Sequence, residues 1–188
     1  MKNSIFFLVS VFLFACSSKE NNATVHNVIE KFCAASSIKD EKQMTSLVYP
    51  KLFNDNLDKG MVQYMFMRQM QATERFKITN IQFENEPKLI YTFKNEEFFV
   101  QSYTSDTDIK FARSAAEGFS QQKNNILKID PNAVVDENEL SLKFNQKRKI
   151  ILVKNEKGTF ILPEIFVDYL EVKGLNVQTL RENFKKLN

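Results

Sequence analysis

The sequence predicts an α+β protein in which N-terminal helices pack on a curved antiparallel sheet. After its apolar start, the 188-residue chain carries apolar residues at helical spacing until about Thr73. From Lys77 onward the apolar period changes from about 3.6 to about 2 residues, which indicates strands. A helical pattern returns from Asn176 to Leu187. Helices first and strands afterwards, with a short helix between them, are typical of this class.

Three helices are predicted before the sheet. The first runs from about Ala23 to Ser36 behind an Asn22 cap, and its apolar face consists of Val25, Val28, Ile29, Phe32 and Ala35. Asp40 can cap a second, short helix that ends at Tyr49-Pro50, because the residue before a proline avoids helical backbone angles. A third helix extends from Lys59 or Gly60 to about Thr73.

Six strands are predicted from alternating apolar and polar residues. They cover Lys77–Glu84, Leu89–Phe93, Glu97–Tyr103, Leu140–Phe144, Ile150–Val153 and Thr159–Leu162. Pro87 separates the first two strands, and a turn at Asn145–Lys147 separates the fourth from the fifth. The tight Asn95-Glu96 connection indicates an antiparallel hairpin.

The segment from Asp106 to about Leu127 has a mixed pattern. Its apolar residues suit an amphipathic helix that Asp106 or Asp108 would cap. Gly118 weakens that helix, because glycine is a poor helix former.

Several of these segments together resemble the NTF2-like, or cystatin-like, superfamily. They are the opening helix, the Lys39-Asp40 turn, the segment Met44–Pro50 and the hairpin Lys149–Leu162. Where that hairpin usually carries tryptophan, this chain has Phe160. The resemblance implies an α+β cone whose sheet wraps a pocket. In this superfamily some members are enzymes with Asp, His or Tyr inside the cone, and others only bind a ligand or a partner.

The first residues predict a secretory signal. Lys2 precedes an apolar run from Ile5 to Ala15, which is shorter than the about 20 residues that a spanning helix needs. Leu13-Phe14-Ala15-Cys16 resembles the lipobox, whose cysteine is acylated before cleavage makes it the new N-terminus. The prediction is therefore a signal peptide over residues 1–15, a lipidated tether over 16–22 and a single folded domain over 23–188.

The lipobox resemblance also implies a location. Ser17 follows the cysteine in place of the aspartate that retains enteric lipoproteins at the inner membrane. We therefore expect a lipid-anchored protein of the bacterial outer membrane that faces the periplasm. Lys19-Glu20 leaves exposure at the cell surface open as an alternative.

Composition excludes several kinds of site. The chain carries 26 basic and 23 acidic residues without a basic stripe, so nucleic acid is not an expected partner. With one histidine and two cysteines, no metal site and no cofactor are predicted. Once Cys16 is acylated, Cys33 is the only thiol, and it is predicted to be a small buried hydrophobic residue. His26 lies two helical turns from Cys33, about 10 Å away, and is predicted to be a solvated surface residue.

Candidate site residues follow from the cone. Five aromatic residues could line its interior: Tyr64, Tyr91, Phe93, Phe98 and Tyr103. Four carboxylates would lie nearest its mouth: Glu74, Asp106, Asp108 and Glu117. No residue matches a catalytic motif, so no catalytic residue is assigned. The basic run Gln146–Lys149 is interpreted as a charged hairpin turn that keeps a sheet edge soluble.

The sequence favours a noncatalytic module that is anchored to the membrane and binds a small apolar ligand or a protein partner. Two alternatives remain open, a small-molecule enzyme of NTF2-like type and an immunity factor that neutralises a partner. A further expectation concerns the hairpin Lys149–Leu162, whose apolar residues should matter more for stability than any exposed charge. Phe160→Ala should lower the melting temperature sharply and Lys147→Ala should leave it almost unchanged.

Overall fold

The computed structural model describes residues 22–187. The predicted signal peptide, Cys16 and the tether up to Asn21 lie outside the described residues. Within 22–187, none of the helices combines the length and the apolar character needed to cross a bilayer.

Five α-helices are present in the described chain. They are α1 (residues 22–37), α2 (Glu41–Ser46), α3 (Lys59–Gln71), α4 (Ala116–Ile129) and α5 (Val177–Lys185). The predicted cap of α2 is confirmed, because the Asp40 side chain accepts a hydrogen bond from the backbone N–H of Gln43. Asp58 and Asn176 cap α3 and α5 in the same way. Asn22, predicted as a cap, is the first described residue of α1.

The strands form one antiparallel sheet. They are β1 (Thr73–Phe93), β2 (Glu96–Phe111), β3 (Val134–Asp136), β4 (Ser141–Asn155) and β5 (Gly158–Leu162). The order is β1-β2-β4-β3, and β5 pairs with the far end of β4. Three short 3₁₀ segments, Pro50–Leu52, Arg113–Ala115 and Glu164–Tyr169, join the elements. Helices that precede a curled antiparallel sheet confirm the predicted α+β class.

The first two predicted strands are one strand, β1, so the predicted break at Pro87 is wrong. β1 is an edge strand, where a residue without an N–H is tolerated. Its pairing with β2 shifts register near Asn80 and again near Asn85 and Pro87. Both asparagines have positive φ, 52° and 56°. Such bulges bend a strand and increase its twist, which gives the sheet its curl.

Two further predictions are corrected. β2 continues to Phe111, so Asp106 and Asp108 lie within a strand and cap no helix, and α4 begins only at Ala116. β4 runs unbroken through Asn145–Lys147, where a turn was predicted. Both errors concern strand stretches whose inward side chains are polar, so that the apolar alternation stops there.

The two faces of the sheet are covered by different elements. On one face α1 packs Val25, Ile29 and Cys33 against Tyr103 and Leu152. Further along that face, α4 packs on the ends of β2 and β4, where the shared apolar cluster comprises Phe111, Phe119, Ile126, Leu142 and Phe144. α5 lies against the opposite face, where the Asn183 amide donates to the carbonyl of Ile90. The largest apolar cluster joins this side to α2 and α3.

Phe160 and Lys147 differ in burial, so their replacement should differ in its effect on stability. Phe160 is half-buried against the largest cluster, whereas the Lys147 side chain is 60% exposed and pairs with Glu84. We expect Phe160→Ala to cost about 1–3 kcal/mol, since only part of the ring is removed from water. Lys147→Ala should cost less than about 1 kcal/mol. Thermal unfolding followed by circular dichroism checks this, and equal small effects would show that the hairpin is peripheral.

Candidate ligand-binding cavity

A cavity of about 690 Å³ lies between the sheet and the helices. Its walls come from α1, α2, α3 and α4, from the inward residues of β1, β2 and β4, and from the segment that follows β5. Most of the wall is apolar, and it includes Phe32, Phe66, Phe76, Phe144, Met44 and Met70. Two exposed isoleucines, Ile129 and Ile165, also belong to the wall. The curled sheet and the helices therefore line an open cavity large enough for a small organic ligand.

One group of polar side chains lies where β2 and β4 pair, and a second, Gln121, Gln122 and Asn125, belongs to α4. Two neighbouring cross-strand pairs, Tyr103 with Arg148 and Ser105 with Gln146, belong to the first group. Alternation along the strands turns Tyr103, Gln146 and Arg148 into the cavity, and the Nη2 atom of Arg148 donates to Thr107 Oγ1 at 3.0 Å. We call Tyr103, Ser105, Thr107, Gln146 and Arg148 the polar floor.

Two polar-floor atoms are buried without a hydrogen-bond partner among the described residues. They are the Nε atom of Arg148 and the Oγ atom of Ser105. Ser105 is completely buried in the β2 strand. Buried polar groups in proteins are almost always hydrogen-bonded, so two such atoms on adjacent cross-strand pairs are unusual, and of the two residues only Arg148 lines the cavity.

Cys33 and Tyr103 contact each other beside the polar floor. The Cys33 sulfur lies 3.9 Å from the Tyr103 hydroxyl, and both side chains are buried. Burial raises the pKa of Cys33, and the hydrogen bond with Tyr103 and the charge of Arg148 oppose this only in part. Burial also raises the pKa of Tyr103. Both groups therefore keep their protons at neutral pH, which favours contact roles over nucleophilic or basic ones.

His26 occupies a different environment from the one predicted. Its ring stacks on Phe83 with centroids 3.7 Å apart, and its Nε2 atom is buried without a partner among the described residues. Burial lowers the pKa of His26, although Glu30 opposes the shift. The prediction of a solvated surface histidine is therefore wrong, because this side of α1 packs on the bent strand β1.

The five aromatic residues proposed for the pocket are separated. Tyr103 belongs to the cavity wall. Tyr91, Phe93 and Phe98 pack in or against the largest apolar cluster instead. Tyr64 points outward from α3 and is 55% exposed. Strand and helix periods identified inward faces, but they did not show which inward residues adjoin open space.

The four candidate carboxylates lie outside the cavity wall. Glu74 pairs with Lys110 at 3.6 Å, and Asp108 pairs with Arg75 at 2.9 Å. Asp106 accepts hydrogen bonds from Asn145 and Asn80, which lower its pKa. Glu117 is exposed on α4. A lowered pKa at Asp106 is the opposite of what a general acid needs at neutral pH.

Sequence reasoning missed the polar floor. The run Gln146–Lys149 was interpreted as a charged turn, but it lies in the middle of β4. Lys147 and Lys149 point to the outer face, whereas Gln146 and Arg148 point into the cavity. The sequence contained one indication of this. Gln146 and Arg148 continue the alternate positions of a single strand, which are occupied on either side by Leu142, Phe144, Ile150 and Leu152. The described part of the chain contains no cluster of three or more potential metal-ligating His, Cys, Asp or Glu residues.

Comparison with known proteins adds little to this geometry. No protein-family model matches the chain, and no curated protein matches it. Among solved structures the chain is similar to a putative dehydratase of the NTF2-like family from Streptomyces avermitilis. The TM-score is 0.41 at 13% identity, and the match covers 77% of this chain and 93% of that one. A similarity of this size carries no inference about activity, so the cavity itself has to carry the functional argument.

Proposed function

We propose that this protein is a membrane-anchored lipoprotein whose domain binds a small ligand in the cavity without transforming it. The observation that carries this proposal is the cavity of about 690 Å³, which is apolar over most of its wall and polar at the β2–β4 pair and along α4. Binding sites for small molecules typically have volumes of about 300–1,000 Å³, mostly apolar walls and a few converging polar groups.

Binding is favoured over catalysis by the chemistry of the wall. Two weakly acidic groups of the wall, Tyr103 of the polar floor and the neighbouring Cys33, have pKa values that burial raises. General acid–base catalysis works best with a group whose pKa lies near the operating pH. The cavity wall instead offers a neutral thiol, a neutral phenol and a guanidinium, which can recognise a ligand but transfer protons poorly at neutral pH.

The anchor rests on the lipobox resemblance at Leu13–Cys16. With two or three acyl chains on Cys16, the domain would stay durably on a membrane, since one chain alone gives only marginal binding. Ser17 supports the outer membrane, with the domain facing the periplasm. The cavity would then take up small molecules at that membrane.

A neutral fluorescent probe tests the cavity. We expect N-phenyl-1-naphthylamine to bind the wild-type chain, and Gly118→Leu to abolish this binding. A Cβ atom added at Gly118, which lines the cavity, meets nothing within 4 Å, so the longer side chain can occupy the open space. Stability should be unchanged or higher by about 1 kcal/mol, because glycine is a poor helix former.

Ser120→Leu, at an exposed position of the same helix, is the matched control and should still bind the probe. Absence of binding to the wild type, or equal binding to the Gly118→Leu variant, would contradict the proposed ligand site.

Mass spectrometry of the membrane fraction tests the anchor. We expect a peptide that begins at Cys16 and carries the mass of two or three acyl chains. Cys16→Ala should remove the acyl mass. The variant should then be absent from the acylated, membrane-bound proteins. An unmodified, freely soluble wild-type protein would contradict the anchor and leave the cavity test unaffected.

A further inference from the structure

The charge of Arg148 is not compensated within the cavity. Among the described residues no carboxylate forms an ion pair with Arg148, although seven other ion pairs are present. The wall contains one carboxylate, Glu164, and its side chain is exposed. The wall residues therefore combine a cation at the sheet with an otherwise uncharged interior.

The position of the guanidinium makes this unpaired charge significant. Nη2 is engaged by Thr107, whereas Nε is buried and has no acceptor within the described residues. Removing a charged donor from water without a partner is costly, and buried charges in proteins are normally paired.

We infer that the ligand is an acidic amphiphile, a small molecule with one carboxylate or phosphate group on an apolar body. This inference rests on the proposed function and names the class of ligand. The acidic group pairs with the guanidinium of Arg148 where this side chain lines the cavity. Such charge-assisted bonds are about twice as strong as neutral ones, and the guanidinium fork matches the geometry of both acidic groups.

The rest of the cavity suits the apolar body. Away from the polar floor most of the wall is apolar and includes aromatic and methionine side chains of α1, α2 and α3 and Ile126 of α4, while Gln121, Gln122 and Asn125 of α4 add amide groups. Phe32 and Phe66 meet edge to face at 5.9 Å, which fixes part of this wall. Methionine side chains adapt to ligands of different shape. The polar floor thus contacts the acidic head group, and the apolar part of the wall contacts the apolar body.

Matched ligands that differ only in the head group test the inference. Decanoate, decyl phosphate and 1-decanol are compared as competitors of N-phenyl-1-naphthylamine, below their micelle concentrations. The protein is the chain from residue 16 with Cys16→Ser. All residues of the three apolar clusters lie between Val25 and Leu187, so this change leaves the described core intact. At least one of the two acids should bind about tenfold or more tightly than the alcohol.

Arg148→Met should reduce this preference to near unity while leaving the affinity for 1-decanol within about twofold. The unchanged alcohol affinity shows that the variant is folded and that its cavity is intact. Arg148→Lys keeps the charge but loses the fork, and it should retain part of the preference. Arg113→Met makes the same replacement at an exposed arginine outside the wall and should keep the full preference.

The outcomes separate the two proposals. If the alcohol binds as tightly as both acids, the inferred ligand class is wrong and the binding cavity stands. If the preference for acids survives Arg148→Met, the recognition of the acidic group by Arg148 is wrong. If neither the probe nor any of the three ligands binds the wild-type chain, both the proposed function and the inferred ligand class are wrong. The acid that binds more tightly identifies the head group as carboxylate or phosphate.

Discussion

Replacing Phe98 by alanine should destabilise the protein more than any other change considered for the core. Phe98 is completely buried in the largest apolar cluster, between the rings of Tyr49 and Tyr91 at 6.2 and 5.9 Å. Truncating such a ring removes its burial and leaves a cavity, at a cost of about 3–5 kcal/mol. For a chain of this size that corresponds to a melting temperature lower by about 6–20 °C.

Phe99 is the matched control, because it is the same residue type on the same strand and is only partly buried. Phe99→Ala should cost clearly less than Phe98→Ala in urea unfolding monitored by circular dichroism. Equal costs for the two substitutions would mean that the cluster around Phe98 is not packed as described.

Glu96 should be the polar residue whose loss costs most. It is 4% exposed and accepts hydrogen bonds from the Tyr49 hydroxyl at 2.6 Å and the Asn155 amide at 3.1 Å. Lys51 lies 3.0 Å away and is half exposed. These partners come from the segment after α2 and from the turn between β4 and β5, so one carboxylate connects them to the β1–β2 hairpin.

Glu96→Ala should cost about 1–3 kcal/mol, because it leaves the buried Tyr49 hydroxyl without an acceptor. The half-exposed Lys51 adds little, since solvent screens its attraction. Glu156→Ala removes an exposed carboxylate beside the same turn and should change stability by less than about 0.5 kcal/mol. A cost for Glu96→Ala as small as that of Glu156→Ala would contradict the role assigned to the cluster.

The contribution of Glu96 should also depend on pH. Burial raises its pKa, but the hydrogen bonds from Tyr49, Lys51 and Asn155 lower it more, so the folded-state pKa lies below the ordinary 4.5. The unfolded state then binds the proton more readily, and the contribution is complete above pH 4.5 and is lost as pH falls through the lower folded-state value. Glu96→Gln does not titrate. The stability difference between wild type and this variant should therefore shrink between pH 7 and pH 3, and a constant difference would contradict the lowered pKa.

Local sequence was sufficient to predict most elements. The Asp40 cap, the hairpin at Asn95-Glu96 and the turn before Gly158 all follow from residues close together in the chain. Each depends on local backbone preferences, which act without knowledge of the rest of the molecule. The order of helices and strands therefore predicted the α+β class correctly.

Burial of individual aromatic residues depended on contacts between distant segments. Phe98 was a candidate for the pocket and instead fills the core, because Tyr49 and Tyr91 pack against it. His26 was placed on the surface, but the bent strand β1 brings Phe83 onto its ring. An apolar period identifies the inward face of an element, but the neighbouring elements decide whether that face meets packed side chains or open space.

What the sequence by itself determined is the succession of helices and strands, because the spacing of apolar residues and the caps specify it. Only the tertiary structure decided where the cavity lies. Ser105, Thr107, Gln146 and Arg148 face inward as polar residues, so their strands lost the alternation that predicts strands, and two predictions failed there. The physical reason is that Gln146 and Arg148 face the open cavity and Ser105 and Thr107 are buried beside them, and only the pairing of β2 with β4 brings these residues together.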